Sequence, residues 1–213
     1  MPVYRSGKGA APAWSQIQDF ELIELRRGDS RTLARDEPKE EIIVCRGAVI
    51  ADLGDGRTAF LPQGGKLDSD KPRAEGLTIR ATTDSALVFR ALGHWAAISG
   101  SGIFRVRLGD PPKHDTPYDY VKATRFDNHY HDCNEYWIFF QGQCRVASEG
   151  KLYDVGPGDC VATGMGWHHD VVSVKGEEEV QAVYFEGTPE GQKRPGHLWE
   201  PKHGKPTPQT DRV

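Results

Sequence analysis

Residues 126–142 read FDNHYHDCNEYWIFFQG, which places His129, His131 and Glu135 at the spacing His-x-His-x3-Glu, with Gly142 closing the run. In an extended chain, residues two apart face the same way. His129 and His131 can therefore aim two imidazoles at one point. Glu135 lies beyond a short bend and can bring a carboxylate oxygen to that point, and Gly142 permits a tight turn into the next strand. A second segment, Gly158-x5-Gly164-x-Gly166-x2-His169, can supply a third imidazole from a neighbouring strand. His168 stands beside His169, and adjacent strand residues point to opposite faces, so one of the two reaches the site. Imidazoles with one carboxylate form a mixed nitrogen–oxygen set. Such a set suits one divalent transition metal (Fe, Mn, Ni, Co or Zn) better than Mg or a thiolate-loving ion.

Several flanking residues could act on a molecule bound there. Arg125 and Asp127 share the parity of His129 and His131. In a continuous strand Arg125 would project inward and could hold a carboxylate or phosphate; otherwise it is a surface or ion-pair arginine. Trp137 and Phe139 share the parity of Glu135 and should line the interior. Tyr153, Tyr184 and Asp170 are candidate proton donors or acceptors. Of four cysteines, Cys45, Cys133, Cys144 and Cys160, none forms a C-x-x-C pair. They read as small residues in or near strands, with Cys133 the one that could line the site entrance.

The elements that must position these residues are strands. Helical signals are weak, and 24 glycines and 14 prolines punctuate short runs rich in Val, Ile, Phe, Tyr and Thr, which predicts an all-β sandwich or barrel. In the C-terminal half, strands are expected at 135–140, 144–148, 152–155, 160–163, 169–174 and 180–186. In the N-terminal half they are expected at 42–45, 48–53, 58–61, 77–81 and 86–91. Two copies of one strand-turn order read as an internal duplication, with the joint within 108–118. Residues 1–12 and 187–213 read as irregular. The cluster His197, Leu198 and Trp199 either frays with the tail or packs Trp199 on a barrel or partner subunit.

The two histidine-bearing segments resemble the paired motifs of the cupin superfamily, G-x5-H-x-H-x3-E-x6-G and G-x5-P-x-G-x2-H-x3-N. The resemblance covers nearly the whole C-terminal half and agrees at His129, His131, Glu135, Gly142, Gly158, Gly166 and His169. It departs at Ala123 (family Gly), Gly164 (family Pro), Ser173 (family Asn) and the additional His168. The resemblance implies a jelly-roll barrel with a three-histidine, one-glutamate metal site at His129, His131, Glu135 and His169. In the N-terminal half, Glu40 and Gly47 match Glu135 and Gly142 by strand order, while Ala34 and Asp36 stand where histidines would be. The implied architecture is two cupin barrels in tandem. A degenerate, structural copy is expected at 14–108, a metal-binding copy at 109–190, and an extended tail at 191–213.

A formal net charge of −4 over 213 residues offers no basic footprint for nucleic acid, and no apolar stretch is long enough to span a bilayer. With no apolar leader at the N-terminus, a cytoplasmic protein is expected. The partner expected is a small polar molecule, and the resemblance adds a possible homodimer. Four ligands on an octahedral ion leave two open positions. A substrate with adjacent oxygens could chelate there, the ion polarising a carbonyl or stabilising an enediolate. The first expectation is a metal-dependent isomerase, epimerase or lyase acting on a sugar-like or keto-acid substrate. The second is a mononuclear Fe(II) dioxygenase, and the third a module that binds or senses a small molecule without chemistry.

Overall fold

Alternation of apolar residues with polar ones, broken every few residues by glycine turns, leaves this chain almost no option but strands. The computed structural model describes residues 3–7, 9–34, 37–69, 76–188 and 196–213. Its strands run β1 (Val3–Arg5), β2 (Ile17–Arg26), β3 (Ser30–Leu33), β4 (Lys39–Arg46), β5 (Ala48–Asp52), β6 (Thr58–Pro62), β7 (Lys66–Ser69), β8 (Leu77–Ala81) and β9 (Ser85–Gly93). They continue with β10 (Ala97–Val106), β11 (Tyr130–His131), β12 (Asn134–Gln141), β13 (Gln143–Ser148), β14 (Lys151–Val155), β15 (Asp159–Thr163), β16 (His169–Lys175), β17 (Val180–Thr188) and β18 (His197–Leu198). The helix α1 (Glu200–His203) is a single turn, and no helix among the described residues is long and apolar enough to cross a membrane.

The chain forms two compact units. The first comprises Ser6–Ala11 and Gln16–His94, and the second comprises residues 3–5, Pro12–Ser15 and Trp95–Val213. In the first unit a sheet of order β2-β9-β4-β7 faces a core shared with a sheet of order β3-β8-β5-β6. Ile42, Val44, Ile79 and Val88 are fully buried in that core, and burying each such side chain contributes roughly 1.5–3 kcal/mol. In the second unit β10-β17-β12-β15 repeats the order of the first sheet, with β1 added outside β15. The sheet β14-β13-β16 repeats β6-β5-β8, and the isolated bridge His129↔His169 takes the place of β3. The second core gathers Trp137, Phe139, Val146, Val161, Val171 and Ala182.

The repeated strand order reaches individual turns. Gly47 (φ 72°) and Gly142 (φ 71°) both end the strand that carries the matched glutamate. A Cβ at Gly47 would lie 2.2 Å from the carbonyl oxygen of Ser85, and one at Gly142 would lie 2.9 Å from that of Glu179. Both positions therefore need glycine twice over, for their left-handed backbone and for space.

The units divide the chain differently from the expected domains. The change of unit falls at His94–Trp95 rather than within 108–118, because β10 pairs with β17 from Ala97↔Thr188 to Val106↔Val180. Its run of Gly100, Ser101 and Gly102 hid this strand from the sequence reading. The N-terminal residues expected to be irregular include β1, which pairs with β15. The extended tail expected at 191–213 contains β18 and α1, with 191–195 outside the described residues.

Candidate metal centre

β12 is apolar on both faces and buried from Asn134 to Phe140. Its alternation turns Glu135, Trp137 and Phe139 towards the core of their own unit. Glu135 and Trp137 are buried together, and the indole Nε1 donates to Glu135 Oε1 at 2.9 Å. That bond fixes the carboxylate and leaves Oε2 facing three imidazoles. His169 Nε2 lies 2.6 Å from Oε2, His131 Nε2 3.0 Å and His129 Nε2 3.8 Å. One donor atom from each of His129, His131, Glu135 and His169 lies within 4.8 Å of every other. The sequence-expected ligands are thus brought together, all of them buried.

The main chain orients these rings. His129 N donates to His169 O, and His169 N donates back to His129 O. His129 Nδ1 lies 2.8 Å from Asp127 O, and His169 Nδ1 lies 3.0 Å from Trp167 O. A carbonyl oxygen only accepts, so each Nδ1 carries a proton and Nε2 is the atom that each ring turns to the cluster. His129 Nε2 is buried without a hydrogen-bond partner, a costly arrangement unless something binds there. Burial, reinforced by His169, pushes His129 down to about 3. Although burial opposes it, Glu135 falls well below the usual carboxylate range because His131 and His169 face it. Neutral imidazoles and an ionised carboxylate are the protonation states a cation requires. An ion with bonds of about 2.0–2.2 Å holds neighbouring donors about 3 Å apart and opposite donors about 4 Å apart, so these residues fit one transition metal.

His168 turns away from this group. Its ring meets Tyr130 edge-on, and its Nε2 lies 3.3 Å from Glu200 Oε1. The residues after 196 cross the same end of the unit. β18 pairs with β11 through Tyr130↔Leu198 and His131↔His197. The ring of His197 stacks on that of His129 at 3.6 Å and 26°. Asp127 Oδ2 accepts from Trp199 Nε1 at 2.6 Å and lies 3.2 Å from His197 Nε2. Burial raises Asp127, but His197, His129 and Trp199 together hold its carboxyl well below its ordinary value. Of the two readings for Trp199, packing on its own unit is the one observed. Farther on, Trp167 Nε1 donates to Gln209 O and Arg212 Nη1 to Asn134 Oδ1. Gly164, where the family motif has proline, is explained by this arm: a Cβ there would lie 2.5 Å from Cβ of Arg212.

A cavity of about 270 Å³ opens beside the four ligands. His129, Glu135, Trp137, Tyr184 and His197 contribute to its lining, together with Phe104, Phe126, Asp127 and Glu186. Of the candidate catalytic residues, Tyr184 reaches it and Arg125 and Tyr153 do not line it. Arg125 is exposed and lies over Gly109, since 107–128 holds only an isolated bridge and strand parity does not apply there. Tyr153, on β14, is partly buried against the core. Asp170 lies next to His169 on β16 and is tied to buried Lys122 Nζ at 2.7 Å and to Tyr120. Cys133 is buried and is not among the residues that line the cavity.

Sequence reasoning missed Glu186, Phe104 and the role of His197. Glu186 is 5% exposed, and its Oε1 lies 3.9 Å from His131 Nε2. It shares the parity of Tyr184, which was the available signal. A Cβ at Gly100 would lie 2.4 Å from Glu186 Oε2, so that glycine makes room for the carboxylate.

The architecture agrees with solved structures of one kind. A vicilin of Corylus avellana (hazelnut) aligns at 10% identity with a TM-score of 0.57, covering 90% of this chain and 81% of the vicilin. An oxalate decarboxylase aligns at 9% identity with a TM-score of 0.54, covering 81% and 69%. The chain has the cupin fold. It is also 36% identical over 215 residues to the uncharacterized protein y4oW of Sinorhizobium fredii, covering 100% of this chain and 97% of that one, and it belongs to the same family as y4oW. No family model matches it.

Proposed function

We propose that this cupin is an enzyme that uses one divalent transition metal, held by His129, His131, Glu135 and His169, to isomerise, epimerise or eliminate on a small sugar-like molecule. The observation that carries the reading is Glu186. It is a buried carboxyl beside the ligand group but outside it, and it opens on the cavity. Such reactions move a proton at carbon next to a chelated oxygen, and they need a base within reach of the substrate. The ion, when bound, supplies Lewis acidity and positions for two adjacent oxygens. Glu186 takes the proton, Trp137 and Tyr184 pack against the carbon skeleton, and His197 closes the side next to His129. One structure of the same fold is an oxalate decarboxylase, which supports chemistry on small oxygen-rich molecules by analogy of fold.

The test is proton exchange. Metal-loaded protein is incubated in deuterated water with aldoses, ketoses and amino sugars, and carbon-bound hydrogen is followed by NMR. Deuterium is expected at the carbon next to the carbonyl of one substrate class, with the rate lowered about 100-fold or more in Glu186→Gln. Oxygen consumption that depends on Fe(II), with an oxidised product and no exchange, would replace this reading with the dioxygenase.

A further inference from the structure

A second cavity in the same unit, also of about 270 Å³, shares no lining residue with the first among the described residues. The bridge His129↔His169 turns both rings to the metal side. The residue before each, Asn128 and His168, lines the second cavity, as expected where neighbouring residues face opposite ways. Glu149 lines it too, from the turn between β13 and β14. That residue bears two costs. Its backbone is left-handed (φ 56°), the only non-glycine so placed among the described residues, in a turn that glycine or asparagine would occupy with less strain. It is 8% exposed, yet neither carboxylate oxygen has a hydrogen-bond partner, which burial makes costly. Burial raises its carboxyl, against the charges of the amino terminus and Lys151. Asn128 repeats the pattern. Its Nδ2 donates to the carbonyls of Thr116 and Pro117, which fixes Oδ1 as an acceptor, and Oδ1 is buried without a partner. Backbone strain and unpaired buried acceptors collected on one cavity are features of a binding site rather than of a core.

We propose that this second cavity binds a small neutral polyol of monosaccharide size, independently of the metal. Three acceptors without donors ask for a ligand rich in hydroxyl groups. Two adjacent hydroxyls donate to Glu149 Oε1 and Oε2, and a third donates to Asn128 Oδ1. The C–H face of the ligand packs on the aromatic side chains of the wall, Trp167 and the Tyr118–Tyr120 pair. Those rings are held in place: Tyr118 stacks on Tyr120 at 4.8 Å and 17°, and Trp167 Nε1 donates to Gln209 O. A cation is the poorer fit, because Lys122 Nζ already stands 5.3 Å from the centre of the Tyr118 ring and Lys151 already acts on Glu149. The additional His168 belongs to this wall and not to the metal.

The experiment separates hydroxyl donors from shape, and this cavity from the metal cavity. The purified protein is titrated by saturation-transfer NMR with D-glucose, D-mannose, D-galactose, D-ribose and myo-inositol. Per-O-methylated glucose, which keeps the ring and loses the donors, is titrated beside them. At least one of the polyols is expected to bind with a Kd below about 10 mM, and the methylated sugar at least about tenfold more weakly. Glu149→Gln and Tyr118→Ala are each expected to weaken that polyol by about tenfold or more, and Glu186→Gln in the metal cavity to leave it within about twofold. If Glu149→Gln does not fold, Tyr118→Ala carries the same readout. Binding of none of the polyols, equal binding of the methylated sugar, or a loss in Glu186→Gln with none in Glu149→Gln and Tyr118→Ala overturns the proposal. A lower unfolding midpoint for Glu149→Gln with unchanged polyol binding would assign its carboxylate to the chain's own amino terminus, and would overturn the proposal as well.

Discussion

Glu135 is held from both sides, by the Trp137 indole on Oε1 and by three imidazoles around Oε2. That arrangement separates neighbours in sequence by role. His169 shares the carboxylate, while His168, one residue away on the opposite side, meets Glu200 of the C-terminal arm. His169→Ala is therefore expected to weaken metal affinity by about 100-fold or more, and His168→Ala to leave it within about threefold. Competition against a chromophoric chelator measures both, and equal losses would contradict the assignment. The ligands were legible because two-residue periodicity and motif spacing are local properties. Glu186 was legible in principle, two residues from Tyr184 on the same face. Of the two readings for Arg125, the exposed one is observed, because its segment forms no continuous strand.

Among the elements, the matched strands β4 and β12 show how one frame carries two different surroundings for a buried glutamate. Two residues beyond Glu135, Trp137 pairs with Tyr184; two residues beyond Glu40, Ile42 pairs with Arg90. Arg90 thus occupies the place of Tyr184. Its Nε donates to Glu40 Oε1 at 2.7 Å, and its guanidinium also reaches Glu21 and the carbonyl of Ala34. Side chains of Arg90 and Glu40 are 5% and 2% exposed. A fixed guanidinium balances Glu40, whereas three imidazoles face the matched Glu135 in the other unit, and Asp36 lies outside the described residues. Arg90→Ala leaves Glu40 buried and unpaired, and a loss of about 3–5 kcal/mol in denaturant unfolding is expected. A loss below about 1 kcal/mol would show that Glu40 does not depend on this partner. Glu40 was readable from strand order, but Arg90 was not, since it lies 50 positions away and meets Glu40 only through sheet pairing. β10 and the arm were missed for related reasons. One is rich in glycine and serine, and the other is fixed by tertiary contacts such as Trp199 with Asp127.

For the whole molecule, the two units repeat one sheet order and differ in what sits at the matched glutamate. Among the described residues, every gathered group of potential metal ligands lies in the second unit and includes His129. The chain should accordingly carry one metal ion and not two, although the fold is repeated. The decisive measurement is elemental analysis of the purified protein after exchange against excess divalent metal and removal of the unbound ion. One equivalent of transition metal per chain is predicted, falling below about 0.1 equivalent when His131 and Glu135 are both replaced by alanine, as the ligand set requires. Two equivalents per chain, or one equivalent retained by that double variant, would contradict the account.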